Sequence, residues 1–162
     1  MAWTRDFTLS IRENIVLFIV DLLWAMPDPA DPAAPMWEKV TRMPLNRSQL
    51  VRGNSIGVYD DPETTVDGSF EEYIRTLKVV FEFYVALDTR DEAALTFLSR
   101  VRTAVQVAVA ADPTFGGLAI DLHETRNEVD VPGPETGHVG AALVATIEYS
   151  NHRGDPRLHA GE

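Results

Sequence analysis

The stretch IRTLKVVFEFYVAL, Ile74 to Leu87, decides the fold. Leu77, Val79, Phe81, Phe83, Val85 and Leu87 fall on one parity, and Thr76, Lys78, Val80, Glu82, Tyr84 and Ala86 on the other. A period of two this regular predicts a strand with one face in a core and a half-polar second face. At roughly 3.3 Å per residue the strand spans about 45 Å, more than a small domain needs for its own sheet. That length, in a chain without a catalytic motif, predicts an element used in assembly.

Working outward, Thr89-Arg90-Asp91-Glu92 has capping-box form. After it Leu95, Leu98, Val101, Val105, Ala108 and Val109 make one apolar helical stripe, with Arg100, Arg102 and Gln106 off it. Asp112-Pro113 stops this helix and Gly116-Gly117 turns the chain. Leu118, Ile120 and Leu122 alternate with Ala119, Asp121 and His123, predicting a strand that ends before Glu124, Glu128 and Asp130. Pro132-Gly133-Pro134 reads as a loop, and Val139–Tyr149 as the closing strand. From Asn151 the chain is polar, which predicts a frayed tail.

Towards the N-terminus, Ser10-Ile11-Arg12-Glu13 is another capping box, with Ser10 as N-cap and Glu13 reaching back. Ile11, Ile15, Phe18, Ile19, Leu22, Leu23 and Met26 follow at helical spacing, and Val16, Leu17, Val20 and Trp24 add a second apolar flank. Such a helix must be covered on most sides, by its own core or partly by another subunit. Pro27, Pro29, Pro32 and Pro35 predict an extended connector, followed by a short strand within Trp37–Met43, a basic arm to residue 54 and another short strand at Ile56–Tyr59. The order of elements predicts an α+β fold: a mainly antiparallel sheet with one long central strand and helices packed on it. Residues 1–156 read as a single domain, with 27–54 a proline-rich connector and basic arm inside it, and 157–162 as a flexible tail.

Composition narrows the function. The chain has 162 residues, no cysteine and a net charge of −11. Affinity for phosphate comes mainly from Lys and Arg, so free-standing binding of DNA or RNA is not expected. The run Ile15–Trp24 is interrupted by Asp21 and is too short to cross a bilayer, so no membrane span is expected. The start lacks the form of a signal peptide, and the chain reads as cytosolic when made. His123, His138, His152 and His159 show no metal-ligand spacing, and Asp60, Asp61, Glu63 and Asp67 match a calcium loop only loosely. No Walker loop, dinucleotide fingerprint or nucleophile elbow is present, so neither an enzyme nor a cofactor is expected.

The charge is unevenly placed. Lys39, Arg42, Arg47 and Arg52 face only Glu38 between residues 38 and 52, while Asp60, Asp61, Glu63, Asp67, Glu71 and Glu72 follow with no base among them. The two runs are either plain solvated surfaces or the two halves of a head-to-tail subunit contact. On the second reading, Lys39, Arg42, Arg47 and Arg52 contact a neighbour or a tube, and Asp60, Asp61, Glu63 and Asp67 are their partners or line a lumen.

The segment DDPETTVDGSFEEYIRTLKVVFEFYVAL, then a helix, then ADPTFGGLAIDLHETRNEVDVPGPETGHVGAALVATIEYSNHRGDP, resembles tail terminator proteins of long-tailed phages and phage-derived gene transfer particles. The resemblance, one of pattern and order, covers most of residues 7–156, including the Ile11–Met26 helix. The proline-rich connector and basic arm at 27–54 depart from it. It implies an α+β subunit that assembles as a hexameric ring on the last ring of the tail tube, ends tube growth and meets the head–tail connector. It also implies a place in the virion at the tail–neck junction, assembly in the host cytoplasm, and DNA crossing the lumen without specific binding. A head-completion or stopper protein of the neck, or a small cytosolic ligand-binding domain, are the alternatives.

Overall fold

The structure is a computed structural model that describes residues 3–45, 50, 53–61, 64–66, 72–86, 94–130 and 137–158. Its elements run α1 (Ile11–Trp24), β1 (Lys39–Thr41), β2 (Ser55–Asp60), β3 (Thr64–Val66), β4 (Glu72–Ala86), α2 (Ala94–Ala110), β5 (Asp121–Asp130) and β6 (His138–His152). They form an α+β fold around one mixed sheet of order β1-β2-β4-β6-β5, with β3 also pairing β4. Only β1 and β2 are parallel; the other pairs are antiparallel.

The long strand is where its alternation predicts, running from Glu72 to Ala86, and Leu77, Val79, Phe81, Phe83 and Val85 are all fully buried. Its length is matched within the chain. β6 pairs it along all 15 residues, from Glu72↔His152 to Ala86↔His138, so the whole ribbon finds its ladder within the chain. β2 and β3 lie end to end along its other side. Their registers on β4 differ by one residue, Asp60↔Val79 in β2 and Thr64↔Thr76 in β3.

Both helices cover the same sheet face. That face carries the buried side of β4, its cross-strand partners Val139, Ala141, Leu143, Ala145 and Ile147 of β6, and Ile56 and Val58 of β2. α1 lies over the β1–β2 side and α2 over β6 and β4. Ser10 caps α1 by accepting the Glu13 N–H at 3.1 Å. The Glu13 carboxylate, expected to reach back to the cap, is instead bound by Arg42. Asn14, a polar residue in the first turn of α1, is fully buried. Its Nδ2 donates to the Asp6, Leu9 and Ser10 carbonyls, and its Oδ1 accepts the Asp6 N–H at 2.8 Å. Of α1's second flank Val16 is fully buried and Trp24 is exposed, while Phe18 of the first stripe packs edge-on between Trp3 and Phe115, with centroids at 5.3 and 5.9 Å.

The Asp112–Ala119 turn delivers Phe115. The Asp112 carboxylate accepts the Thr114 hydroxyl at 2.7 Å, the Thr114 N–H at 3.1 Å and the Gly116 N–H at 2.7 Å. Phe115 then takes a left-handed conformation (φ 49°), followed by Gly116 and Gly117 at φ 70° and 86°, a run that glycine makes cheap. The Phe115 side chain is driven fully into the core beneath α1.

Three expectations fail for identifiable reasons. The proline-rich segment is a closed loop and not an extended connector. Met36 N–H donates to the Met26 carbonyl and Asp28 N–H to the Ala34 carbonyl, both at 2.9 Å, while Arg100 of α2 holds the Pro29 carbonyl at 2.6 Å. The strand expected at Leu118–His123 starts at Asp121 and continues through Glu124, Glu128 and Asp130, with a bulge between Glu124 and Arg126. Leu118 and Ala119 instead turn into the core. Finally, the chain after Asn151 is not loose through Leu158: β6 runs to His152, and the following turn returns so that His152 N–H meets the Leu158 carbonyl at 2.9 Å. Arg157 pairs with Asp155 there, and Ile11 N–H at the head of α1 donates to the Pro156 carbonyl at 3.0 Å.

Candidate functional site

Two surfaces stand out, and the first carries the charge that the sequence singles out. The first lies where α1 begins beside the end of β2. The first turn of α1 presents Arg12 and Glu13, the chain leaving β1 presents Arg42, and β2 ends at Asp60. Arg12 donates to the Asp60 carboxylate through Nε at 2.6 Å and also through Nη2. Arg42 binds Glu13 through Nη1, and its Nη2 lies 3.9 Å from Asp60 Oδ1. The Asp60 side chain is only 13% exposed and sits between two guanidinium groups. Charge-assisted contacts to a half-buried carboxylate outweigh ordinary surface pairs.

Arg42 and Asp60, read from sequence as opposite halves of a contact between subunits, are thus neighbours within one chain. Lys39 opens β1 opposite Ser55 and also has a partner. Asp61 continues the β2 edge, its N–H donating to the Lys78 carbonyl at 3.0 Å. Arg47, Arg52, Glu63 and Asp67 lie outside the described residues. Arg12 was missed because its partner is 48 residues away, and nothing local in the capping box points to it.

On the sheet face away from the helices, Glu82 organises a small polar cluster. Its Oε1 accepts the Tyr84 hydroxyl at 2.8 Å and its Oε2 the Leu45 N–H at 3.0 Å. The Tyr59 hydroxyl nearby has a raised pKa, first because burial disfavours the phenolate and then because Glu82 and Asp61 repel it. The chain at Met43–Leu45 crosses directly over Gly57, where a Cβ would stand 2.6 Å from the Met43 carbonyl oxygen. Glycine is required there to let the backbone approach.

The second surface is the flank of α2 that faces away from α1. Two hollows of about 180 and 230 Å³ lie in the seam between α2 and the β6–β5 side of the sheet. Leu95, Ser99 and Arg102 border one over Ala141; Gln106 and Ala110 border the other over Leu143 and Ala145, with Leu122 of β5 across from them. The alanines of β6 give the seam its depth. Leu95, expected within the buried stripe, is 57% exposed on its rim. Arg102, expected off the stripe, has a buried Nε without a hydrogen-bond partner among the described residues.

Among the described residues, no group of three or more His, Asp or Glu side chains is placed to hold a metal ion. No described helix is long and apolar enough to cross a membrane. Neither a protein-family model nor a curated protein sequence matches this chain.

Proposed function

We propose that this chain is a structural subunit of a phage-type tail: a ring, hexameric by the resemblance, that caps the tail tube, ends its polymerisation and joins the tail to the head's connector. The observation that carries the reading is that the two quoted segments, residues 60–87 and 111–156, with the helix α2 between them, supply the unit β3–β4–α2–β5–β6, built on two strands of 15 residues paired with each other along their whole length. A stiff sheet with helices on one face leaves its rims and its second face available for assembly. The net charge of −11 supports an acidic lumen that repels DNA phosphates and lets the duplex slide without binding.

The test is tube growth in the presence of the purified chain and the tail-tube protein of the same particle. Tubes of limited length, carrying this protein at one end only, are expected in electron micrographs. Tubes that elongate as freely with the chain as without it would overturn the proposal. Capture by the connector but not by the tube would move the protein to a stopper position in the neck.

A further inference from the structure

Within that ring reading, on which this step rests, we infer that Trp24 at the end of α1 in one copy enters the hollow beside the first turns of α2 in the next. Glu13, Leu17, Val20 and Trp24 recur at i, i+4, i+7 and i+11 and so share one face of α1. Glu13 on that face meets Arg42, just past β1, so the face is turned towards the β1 edge and away from α2. Trp24 is the large apolar side chain that it leaves 49% exposed. A tryptophan carries roughly 150–250 Å² of surface whose burial stabilises a contact, and it is among the residue types enriched at interface anchors.

The receiving hollow, about 180 Å³, is bordered by Leu95, Leu98, Ser99 and Arg102 over Ala141 of β6. It lies on the α2 flank that faces away from α1, so the hollow and Trp24 stand on opposite sides of the subunit. Pockets that enclose a small molecule run to roughly 300–1,000 Å³, and this one has room for a single large side chain. Leu95, 57% exposed on the rim, adds apolar surface around an incoming ring. The heights match as well. Arg100, next to Ser99, donates to the Pro29 carbonyl in the loop that leaves α1, which puts the end of α1 and the first turns of α2 at the same end of the sheet. The charges agree too: Asp21, exposed one turn before Trp24, and Arg102 beside the hollow make no ion pair among the described residues. A projection on one side and a recess on the other, at one height, make a heterologous contact, the kind that closes into rings. It also covers the part of α1's second apolar flank that the subunit itself leaves bare.

The chain has no cysteine, so introduced thiols report the contact without background. Full-length Asp21→Cys and Leu95→Cys, each alone and then mixed before assembly, are treated with a short bismaleimide, with and without tail-tube protein. Both positions are exposed, and unchanged circular dichroism and melting confirm folding. A cross-linked pair of chains is expected in the mixture and not from either variant alone. Trp24→Ala is expected to weaken self-association about tenfold or more in sedimentation. Ser99→Trp, which fills the hollow from its rim, is expected to do the same. Trp24→Ala and Ser99→Trp chains that assemble as the wild type does would overturn the contact while leaving the ring in place. Asp21→Cys chains that cross-link to one another would overturn it too, as would rings in the mixture that yield no cross-link. A wild-type chain that never self-associates, on tubes or off them, would sink both the contact and the ring.

Discussion

Asp60 offers the sharpest energetic test, because its network decides whether the charged segments serve the subunit or the assembly. Consider Arg12→Ala, Asp60→Ala and the double variant, unfolded by urea at low protein concentration. The Asp60 side chain is 13% exposed and Arg12 is 34% exposed, with two N–H donors on one carboxylate. An exposed pair contributes about 0.2–1 kcal/mol, and hydrogen bonds to a buried charge about 1.5–3 kcal/mol. The half-buried position argues for a coupling near 1.5 kcal/mol, which in a chain of this size lowers Tm by about 3–6 °C. Salt should trim the coupling but not abolish it, since Asp60 is largely shielded. The coupling should also be independent of protein concentration. A coupling near zero in the dilute monomer, with assembly lost instead, would refute the intramolecular assignment.

Other consequences follow from residues that organise the fold. Replacing Asn14 by Ala removes the side-chain partner of the Asp6 N–H and of the Leu9 carbonyl, while the Asp6 and Ser10 carbonyls keep their backbone donors, and should cost about 1–3 kcal/mol in urea unfolding. Phe115→Ala should cost about 3–5 kcal/mol, because a fully buried ring that packs against Phe18 is lost beneath α1. Asp112 gives a pH effect of known sign. The Thr114 hydroxyl lowers its pKa most; burial opposes this, and the Gly116, Thr114 and Phe115 N–H groups lower it further. A depressed folded pKa stabilises above the unfolded value of about 4 and is lost as pH falls through the folded one. Melting curves of Asp112→Asn should therefore show a shallower loss below about pH 4 than the parent.

Much of this architecture was legible because burial is one-sided. Alternation fixed the core face of β4 and β6, and the 3.6 period fixed α1 and α2, since each of these elements pays attention to a single apolar layer. β5 was half-missed. The alternation around Leu118, Ile120 and Leu122 carries the reading only to His123, and the acidic run from Glu124 marks its end, although β5 continues to Asp130 along β6 at the edge of the sheet. The closure of the proline-rich loop was hidden because it depends on Met26, Met36 and Arg100, which prolines do not announce. Likewise the partner of Arg12 and the orphaned Nε of Arg102 are matters of tertiary placement. The length of β4 was legible and its partner was not: a strand alone cannot reveal that β6 matches it residue for residue.

The central claim is closure into a ring of identical copies, and native mass measurement in the presence of tail-tube protein tests it most directly. The account predicts one closed species holding six copies of the 18.0 kDa chain, seated on a tube ring. A spectrum containing only single copies, both free and beside intact tube rings, would contradict it.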